Sequence, residues 1–211
     1  MTDLEALKKA VENGKRNNVI SIVQAAIDAK EDVNTLIDRG MIPGMREIGN
    51  RFSRSEVYVP ELLIAARAMQ TGMSMLEPVL AGNEHKTLGR IAVGTVRGDL
   101  HDIGKNLVAL MLKGAGYEVI DLGVNCDIEK YQYGLDQGAQ ILVCSALLTT
   151  TMPYMREIVN EFKGKTKIII GGAPVTQAYA DEIGADGYSA DANGAVKLVD
   201  ELLNQRFELI A

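Results

Sequence analysis

The chain has 211 residues, 47% hydrophobic and 24% charged, and its 28 acidic and 22 basic side chains leave a net charge of −6. This composition excludes a largely disordered chain, and the acidic balance argues against a general binder of phosphate backbones, which needs a basic face. Two cysteines, Cys126 and Cys144, are too few for a disulfide framework or a zinc quartet. No apolar run approaches the roughly 20 residues that span a bilayer, and the charged N-terminus has no signal-peptide core, so a cytoplasmic protein free of membrane and nucleic acid is expected.

The chain falls into two halves. Six of the 21 glycines precede residue 88 and 15 follow it, while six of the nine methionines precede it. The first half carries helical periodicity. Leu4, Leu7 and Val11 form one stripe, and Val19, Ile22, Val23, Ala26 and Ile27 form a second. Asn34 is the expected N-cap of a third helix through Leu36 and Ile37, which Pro43 kinks or restarts before Met45, Ile48 and Phe52. Pro60 suits the first turn of a long fourth helix running through Leu62, Leu63, Ala66, Met69, Met73, Leu76 and Leu80. The methionines between Met41 and Met75 read as adaptable core. A four-helix bundle over residues 1–85 is expected, then a linker at 81–89 with a solvated His85 and a hinge between Gly82 and Gly89.

Over 90–211, apolar runs at RIAVGTV, YEVIDLG, QILVCSA, KIIIGG and a short DGYSA alternate with helix-like segments near 103–112, 128–135, 152–162, 175–183 and 195–203. Continuous apolar runs suit parallel strands buried on both faces. Five such units predict an α/β flavodoxin-like, Rossmann-like domain with a five-stranded parallel sheet in the order 2-1-3-4-5.

Open sheets of this kind bind ligands at the carboxyl ends of their strands. The first strand is followed by VRGDLHDIGKN, with Asp99, His101, Asp102, Ile103 and Gly104; the third by CSALLTTTMP, with Ser145, Leu147, Thr149 and Thr151; the fourth by Gly171 and Gly172. In the expected order these three loops converge. His101 lies on a loop rather than on an apolar stripe, and Asp99 is placed to fix its tautomer, as a carboxylate does behind a metal-bound imidazole. The residues alone leave a second reading open, in which Asp99 or Asp102 caps the next helix and His101 is a bystander. One histidine cannot make a structural zinc site, so a metal here must bring its own equatorial ligands.

Asp99-x-His101-x-x-Gly104, Ser145-x-Leu147 and Gly171-Gly172 resemble the three-part signature of cobalamin-binding domains that hold the cofactor base-off with a histidine on cobalt. GMREIGNRFSRSEVYVPELLIAARAM, at 44–69, is similar to the helical cap of the methyl-carrying branch, as in cobalamin-dependent methionine synthase. The resemblance covers about 195 residues and implies a cap domain over 1–85 and a cobalamin-binding domain over 90–211. It makes His101 the lower axial ligand of cobalt and Asp99 its hydrogen-bond partner, with Asp102 and Ile103 lining the same loop. Gly104 would let the loop turn tightly, and Ser145, Leu147 and Thr149 would meet the displaced nucleotide. Gly171 and Gly172 would leave room for the tail. Thr151 would extend the aspartate into a proton relay. Phe52 and Val59 would shield the methyl-bearing face.

The resemblance also implies a function: a corrinoid methyl carrier of one-carbon metabolism, a carrier subunit rather than an enzyme by itself. It would take a methyl group from a substrate-specific methyltransferase and pass it to a second methyltransferase that serves tetrahydrofolate or coenzyme M, with a reductive activase as a further partner. His101 would leave cobalt and take a proton on reduction, with Asp99 and Thr151 buffering it. Two rivals share the signature. A cobalamin-binding subunit of a carbon-skeleton isomerase lacks the cap, and a cobalamin-sensing regulator needs a DNA-binding or signalling module that residues 1–80 do not supply.

Overall fold

The computed structural model of the chain describes residues 2–80 and 87–208. The expected linker and hinge, with His85, fall largely on residues 81–86, outside the described residues. The chain divides into two compact units, residues 1–87 with 114–116, and residues 88–113 with 117–211.

The first unit is helical: α1 (Leu4–Glu12), α2 (Arg16–Asp28), α3 (Val33–Leu36), a π-helical turn over Ile37–Met41, α4 (Ile42–Ser53) and α5 (Val59–Leu80). The residue that caps α3 is Asp32, not Asn34. Its extended backbone lets the carboxylate accept from the N–H groups of Asn34 and Thr35 at 3.3 and 3.1 Å, so Asn34 lies inside the helix. Pro43 does restart the helix, in the first turn of α4. The widened turn before it, in which the Ile42 N–H reaches back to the Ile37 carbonyl, absorbs the break.

Leu7, Val11, Val19, Val23, Leu36, Met41, Met45, Ile48, Leu62, Met69 and Leu76 form the buried core of this unit. Fully burying an aliphatic side chain stabilises the fold by about 1.5–3 kcal/mol. Close approach of α1 depends on two glycines four residues apart. A Cβ at Gly44 would lie 2.6 Å from the Lys8 carbonyl oxygen, and one at Gly40 would lie 2.8 Å from Leu7 Cδ2.

The second unit holds β1 (Arg90–Val96), α6 (Ile103–Gly114), β2 (Glu118–Cys126), α7 (Ile128–Asp136), β3 (Ile141–Ser145), α8 (Pro153–Phe162), β4 (Lys167–Gly171), α9 (Gln177–Ile183), β5 (Gly187–Ser189) and α10 (Ala192–Glu208). All strand pairs are parallel and the order is β2-β1-β3-β4-β5, as expected. Ala92, Val96, Leu142, Cys144, Ile168 and Ile170 share one core with Tyr131 of α7, Met155, Ile158 and Phe162 of α8 and Ile183 of α9. The alternate residues Ile91, Val93, Ile141, Val143 and Ile169 are also buried and point to the other face. Right-handed crossovers place α6 on that side.

Two helix starts differ from expectation. Thr176 caps α9 with its hydroxyl, so Val175 precedes the helix, and α10 begins at Ala192, where Asp191 accepts the N–H groups of Asn193 and Gly194 at 2.9 and 2.8 Å. β2 is longer than its apolar run and carries two register shifts against β1, between Val93 and Gly94 and between Gly94 and Val96. Thr95, Ser145, Gly171 and Ser189 are register partners across four strands, so the ends of β1, β3, β4 and β5 finish in one row.

Candidate functional site

The site grows from the end of β1. The chain turns at Gly98, whose φ of +83° suits glycine, and the Asp99 N–H donates to the Val96 carbonyl at 3.1 Å. This brings Asp99 into the interior, 0% exposed. Asp99 Oδ1 accepts from the His101 N–H at 3.0 Å and from His101 Nδ1 at 2.7 Å. Asp99 Oδ2 accepts from the Leu147 N–H at 2.7 Å, the Leu148 N–H at 3.2 Å and the Thr151 hydroxyl at 2.9 Å. Burial pushes the Asp99 carboxyl up, but the N–H groups of His101 and Leu147, the His101 ring and the Thr151 hydroxyl outweigh it and hold the group well below the usual carboxylate range. A carboxylate with that set of donors is ionised and accepts only. Nδ1 of His101 therefore carries the hydrogen, and the lone pair is left on Nε2.

The His101 side chain is 51% exposed, and among the described residues Nε2 has no hydrogen-bond partner. Thr95, buried in β1, fixes the other side of the loop: its hydroxyl donates to the His101 carbonyl at 2.9 Å. Leu100, Leu147 and Leu148, on the two loops that meet at Asp99, and Ile103, at the start of α6, are large apolar side chains left exposed. Exposed apolar side chains on the segments that flank an unpartnered lone pair mark a binding surface.

The structure thus joins Asp99, His101, Leu147 and Thr151, three loop positions around one carboxylate. The Thr151 hydroxyl has one proton and two acceptors at 2.9 Å, Asp99 Oδ2 and the Leu148 carbonyl. Asp102 is exposed; it turns α6 by accepting the Asn106 N–H on its carbonyl at 2.7 Å and the Asn106 amide on Oδ2 at 3.0 Å. Ser145 is half-buried in the end-of-strand row, with no side-chain partner among the described residues, and Thr149 is exposed.

The expected tight turn at Gly104 is absent. Gly104 is helical in the first turn of α6, and a Cβ there would meet nothing within 4 Å; the left-handed turn falls at Gly98. Gly171 and Gly172 are required by the protein's own packing. A Cβ on Gly171 would lie 2.9 Å from the Ser189 carbonyl oxygen, and one on Gly172, where φ is +123°, would lie 1.9 Å from the Ala146 carbonyl oxygen. In the helical unit, Phe52 is half-buried near the end of α4. Val59 opens α5 beside exposed Tyr58, Leu63 and Ile64.

Among the described residues, no group of three or more His, Cys, Asp or Glu side chains could hold a metal ion. One oriented imidazole in an apolar setting fits a metal that brings its own ring of ligands, and so fits a corrinoid.

Residues 89–197 match the B12 binding domain family, and residues 3–77 match a second B12 binding domain family. The chain is 37% identical over 214 residues to a corrinoid protein of Desulfitobacterium hafniense, covering 97% of this chain and 99% of that one. It is 40% identical over 207 residues to dimethylamine corrinoid protein 1 of Methanosarcina mazei, covering 95% of each. It superposes with a TM-score of 0.83 and 29% identity on a chain of the methanol:cobalamin methyltransferase complex of Methanosarcina barkeri, covering 95% of this chain and 79% of that one. Fold, site and sequence define a B12-binding protein. Within that class, the chain belongs to the corrinoid proteins of methyltransferase systems, which carry methyl groups on cobalamin.

Proposed function

We propose that His101 is the lower axial ligand of the bound corrinoid and that this chain serves as the carrier, not the catalyst, between two methyltransferases. The observation that carries the reading is the Asp99–His101 pair, an ionised buried carboxylate 2.7 Å from Nδ1 that leaves Nε2 free to donate. When bound, cobalamin supplies a cobalt centre that accepts and gives up a methyl group. The chain's residues position and protect it. Leu100, Ile103, Leu147 and Leu148 offer an apolar surface to the macrocycle, and Ser145 offers a free hydroxyl to the displaced nucleotide, with Thr149, Gly171 and Gly172 along the same strand ends. Asp99 holds the proton on His101 Nδ1, and Thr151 gives Asp99 a second side-chain donor, so a proton moving on or off the imidazole meets a fixed acceptor. Asp102 and Gly104 would let α6 start close to the corrinoid, Gly104 by leaving open space where a Cβ would lie, and Phe52 and Val59 would shield the bound methyl group.

The likeness to dimethylamine corrinoid proteins supports a methylated amine as the donor class, with the choice among donors made by the partner methyltransferase. A second methyltransferase as the acceptor's partner, and a reductive activase, complete the proposed set of partners. No helix among the described residues is long and apolar enough to cross a membrane, which accords with function in the cytoplasm. The test is reconstitution of the apoprotein with aquacobinamide, a corrinoid without the nucleotide base that could itself supply an axial nitrogen, and reduction to cobalt(II). Electron paramagnetic resonance lines split into triplets by one axial nitrogen are expected in wild type and lost in His101→Ala. Triplets that persist in His101→Ala refute the assignment.

A further inference from the structure

From the bulged end of β2 we infer that Asn125 is a positioning residue for the His101 imidazole, with Lys105 and Asp121 as a second anchor; the inference rests on the assignment of His101 above. β2 is an edge strand, and its two register shifts against β1 place extra residues exactly where the His101 loop leaves the sheet. Both shifts are built from left-handed backbone, at Gly123 with φ of +79° and at Asn125 with φ of +51°. Asparagine is among the few residues with a side chain that adopt this conformation readily.

The consequence is a two-point clip. Asn125 Oδ1 accepts the Gly98 N–H at 2.8 Å, and the Asn125 N–H donates to the Asp99 carbonyl at 3.0 Å. The backbone on both sides of the Gly98–Asp99 peptide is thereby tied to a neighbouring strand. Asp99 in turn sets the ring of His101.

The other end of the loop is tied to the same strand. Lys105, four residues after His101 in the first turn of α6, is 3% exposed, and its ammonium meets Asp121 Oδ1 at 2.6 Å. That oxygen also accepts the Gly123 N–H at 2.9 Å and so caps the first bulge. Asp121 is held below its ordinary range: burial pushes it up, and the Lys105 and Gly123 bonds outweigh that. A buried ammonium given one carboxylate fixes direction more than it adds stability. Segment 98–105, which carries the imidazole, is thus pinned to β2 at both ends.

The test uses the full chain and three variants, with hydroxocobalamin for affinity and aquacobinamide, which lacks the nucleotide base, for the cobalt(II) spectra. Asn125→Gly keeps the left-handed backbone and removes only the acceptor for Gly98. Asn125→Asp restores an acceptor. Lys105→Met keeps the buried stem and removes the charge. Outer partners of a metal-bound histidine alter metal affinity about 10–100-fold, and Asn125 acts one bond further out, so hydroxocobalamin affinity is expected to fall about tenfold in Asn125→Gly. The nitrogen triplets of the cobalt(II) form should weaken in Asn125→Gly and Lys105→Met and return in Asn125→Asp. Affinity and triplets unchanged in both Asn125→Gly and Lys105→Met, whatever happens to the melting temperature, overturn the inference and leave Asn125 as a strand terminator. Absence of triplets in wild type overturns the His101 assignment and this inference with it.

Discussion

Asp99→Asn separates the two things Asp99 does. Asparagine has the same shape, so the effect follows from which donors it leaves facing an N–H group. With the amide oxygen toward Leu147, Leu148 and Thr151, three acceptor contacts survive, and the amide NH2 meets the His101 N–H and Nδ1. Turned the other way, the NH2 faces two backbone N–H groups and strands both. The first arrangement wins because it strands one buried donor, at a cost of about 1–3 kcal/mol. Loss of charge weakens the surviving bonds, since charge-assisted bonds are roughly twice as strong as neutral ones, and the total loss is about 2–4 kcal/mol.

The ring responds as well. Facing an NH2, Nδ1 becomes the acceptor, so the hydrogen moves to Nε2 and the lone pair that would meet cobalt is gone. The variant should therefore bind hydroxocobalamin about 10–100-fold more weakly, with the nitrogen triplets of the cobalt(II) cobinamide form reduced.

Because the folded state holds Asp99 below its ordinary value of 3.8, its stabilisation is present above roughly pH 4 and is lost as the pH falls toward the folded value. The gap in apoprotein stability between wild type and Asp99→Asn should accordingly shrink as the pH drops below about 4. Urea unfolding at pH 7 and pH 3 and cobalamin titration measure these effects. An Asn variant as stable as wild type at pH 7, with its nitrogen ligation intact, would falsify the account of the buried carboxylate.

His101→Ala should lower apoprotein stability by about 1 kcal/mol or less, because the ring is half exposed and the backbone N–H still serves Asp99; a collapse of the melting temperature would instead make His101 a structural residue. Thr151→Val removes one donor from a carboxylate that keeps four and is expected to cost about 1–2 kcal/mol in urea unfolding, with an unchanged melt counting against the hydroxyl bond. Gly172→Ala sets a Cβ 1.9 Å from the Ala146 carbonyl at φ of +123° and should cost more than about 4 kcal/mol, seen as loss of soluble protein or of the cooperative melt. Cys144 is fully buried, and burial pushes its thiol up to about 12 against a hydrogen bond with Tyr131 that lowers it, so native protein should resist iodoacetamide and react only when unfolded. Rapid stoichiometric alkylation of Cys144 in the native state would contradict that.

Much of this site is readable as letters because it depends on side-chain identity. Asp99, His101 and Thr151 each act through a side-chain functional group, a carboxylate, an imidazole and a hydroxyl, that few residue types supply. Other parts act through the main chain and leave no such mark. Leu147 reads as an apolar contact, yet its backbone N–H holds Asp99 at 2.7 Å, and Leu148 contributes the same way. Thr95 reads as one more strand residue until the β1 turn brings the His101 carbonyl to its hydroxyl. Asn125 lies past the end of an apolar run, where the pattern suggests a loop, and only pairing with β1 makes it part of a bulged strand. Asp32 displaced Asn34 as a cap because extended backbone geometry, which residue type does not fix, selects the capping position.

The sequence by itself determined the helical first half, the five parallel strands and their order, because apolar periodicity and right-handed crossovers leave few ways to bury such strands. It also determined the residue types gathered at the strand ends. The tertiary structure alone decided that Asp99 is sealed from water by donors from two loops, that Nε2 of His101 is the nitrogen left free, and that β2 bulges to hold the loop. Those outcomes depend on which backbone N–H and C=O groups meet across strands. Every non-proline residue carries both groups, so only the folded geometry distinguishes one from another.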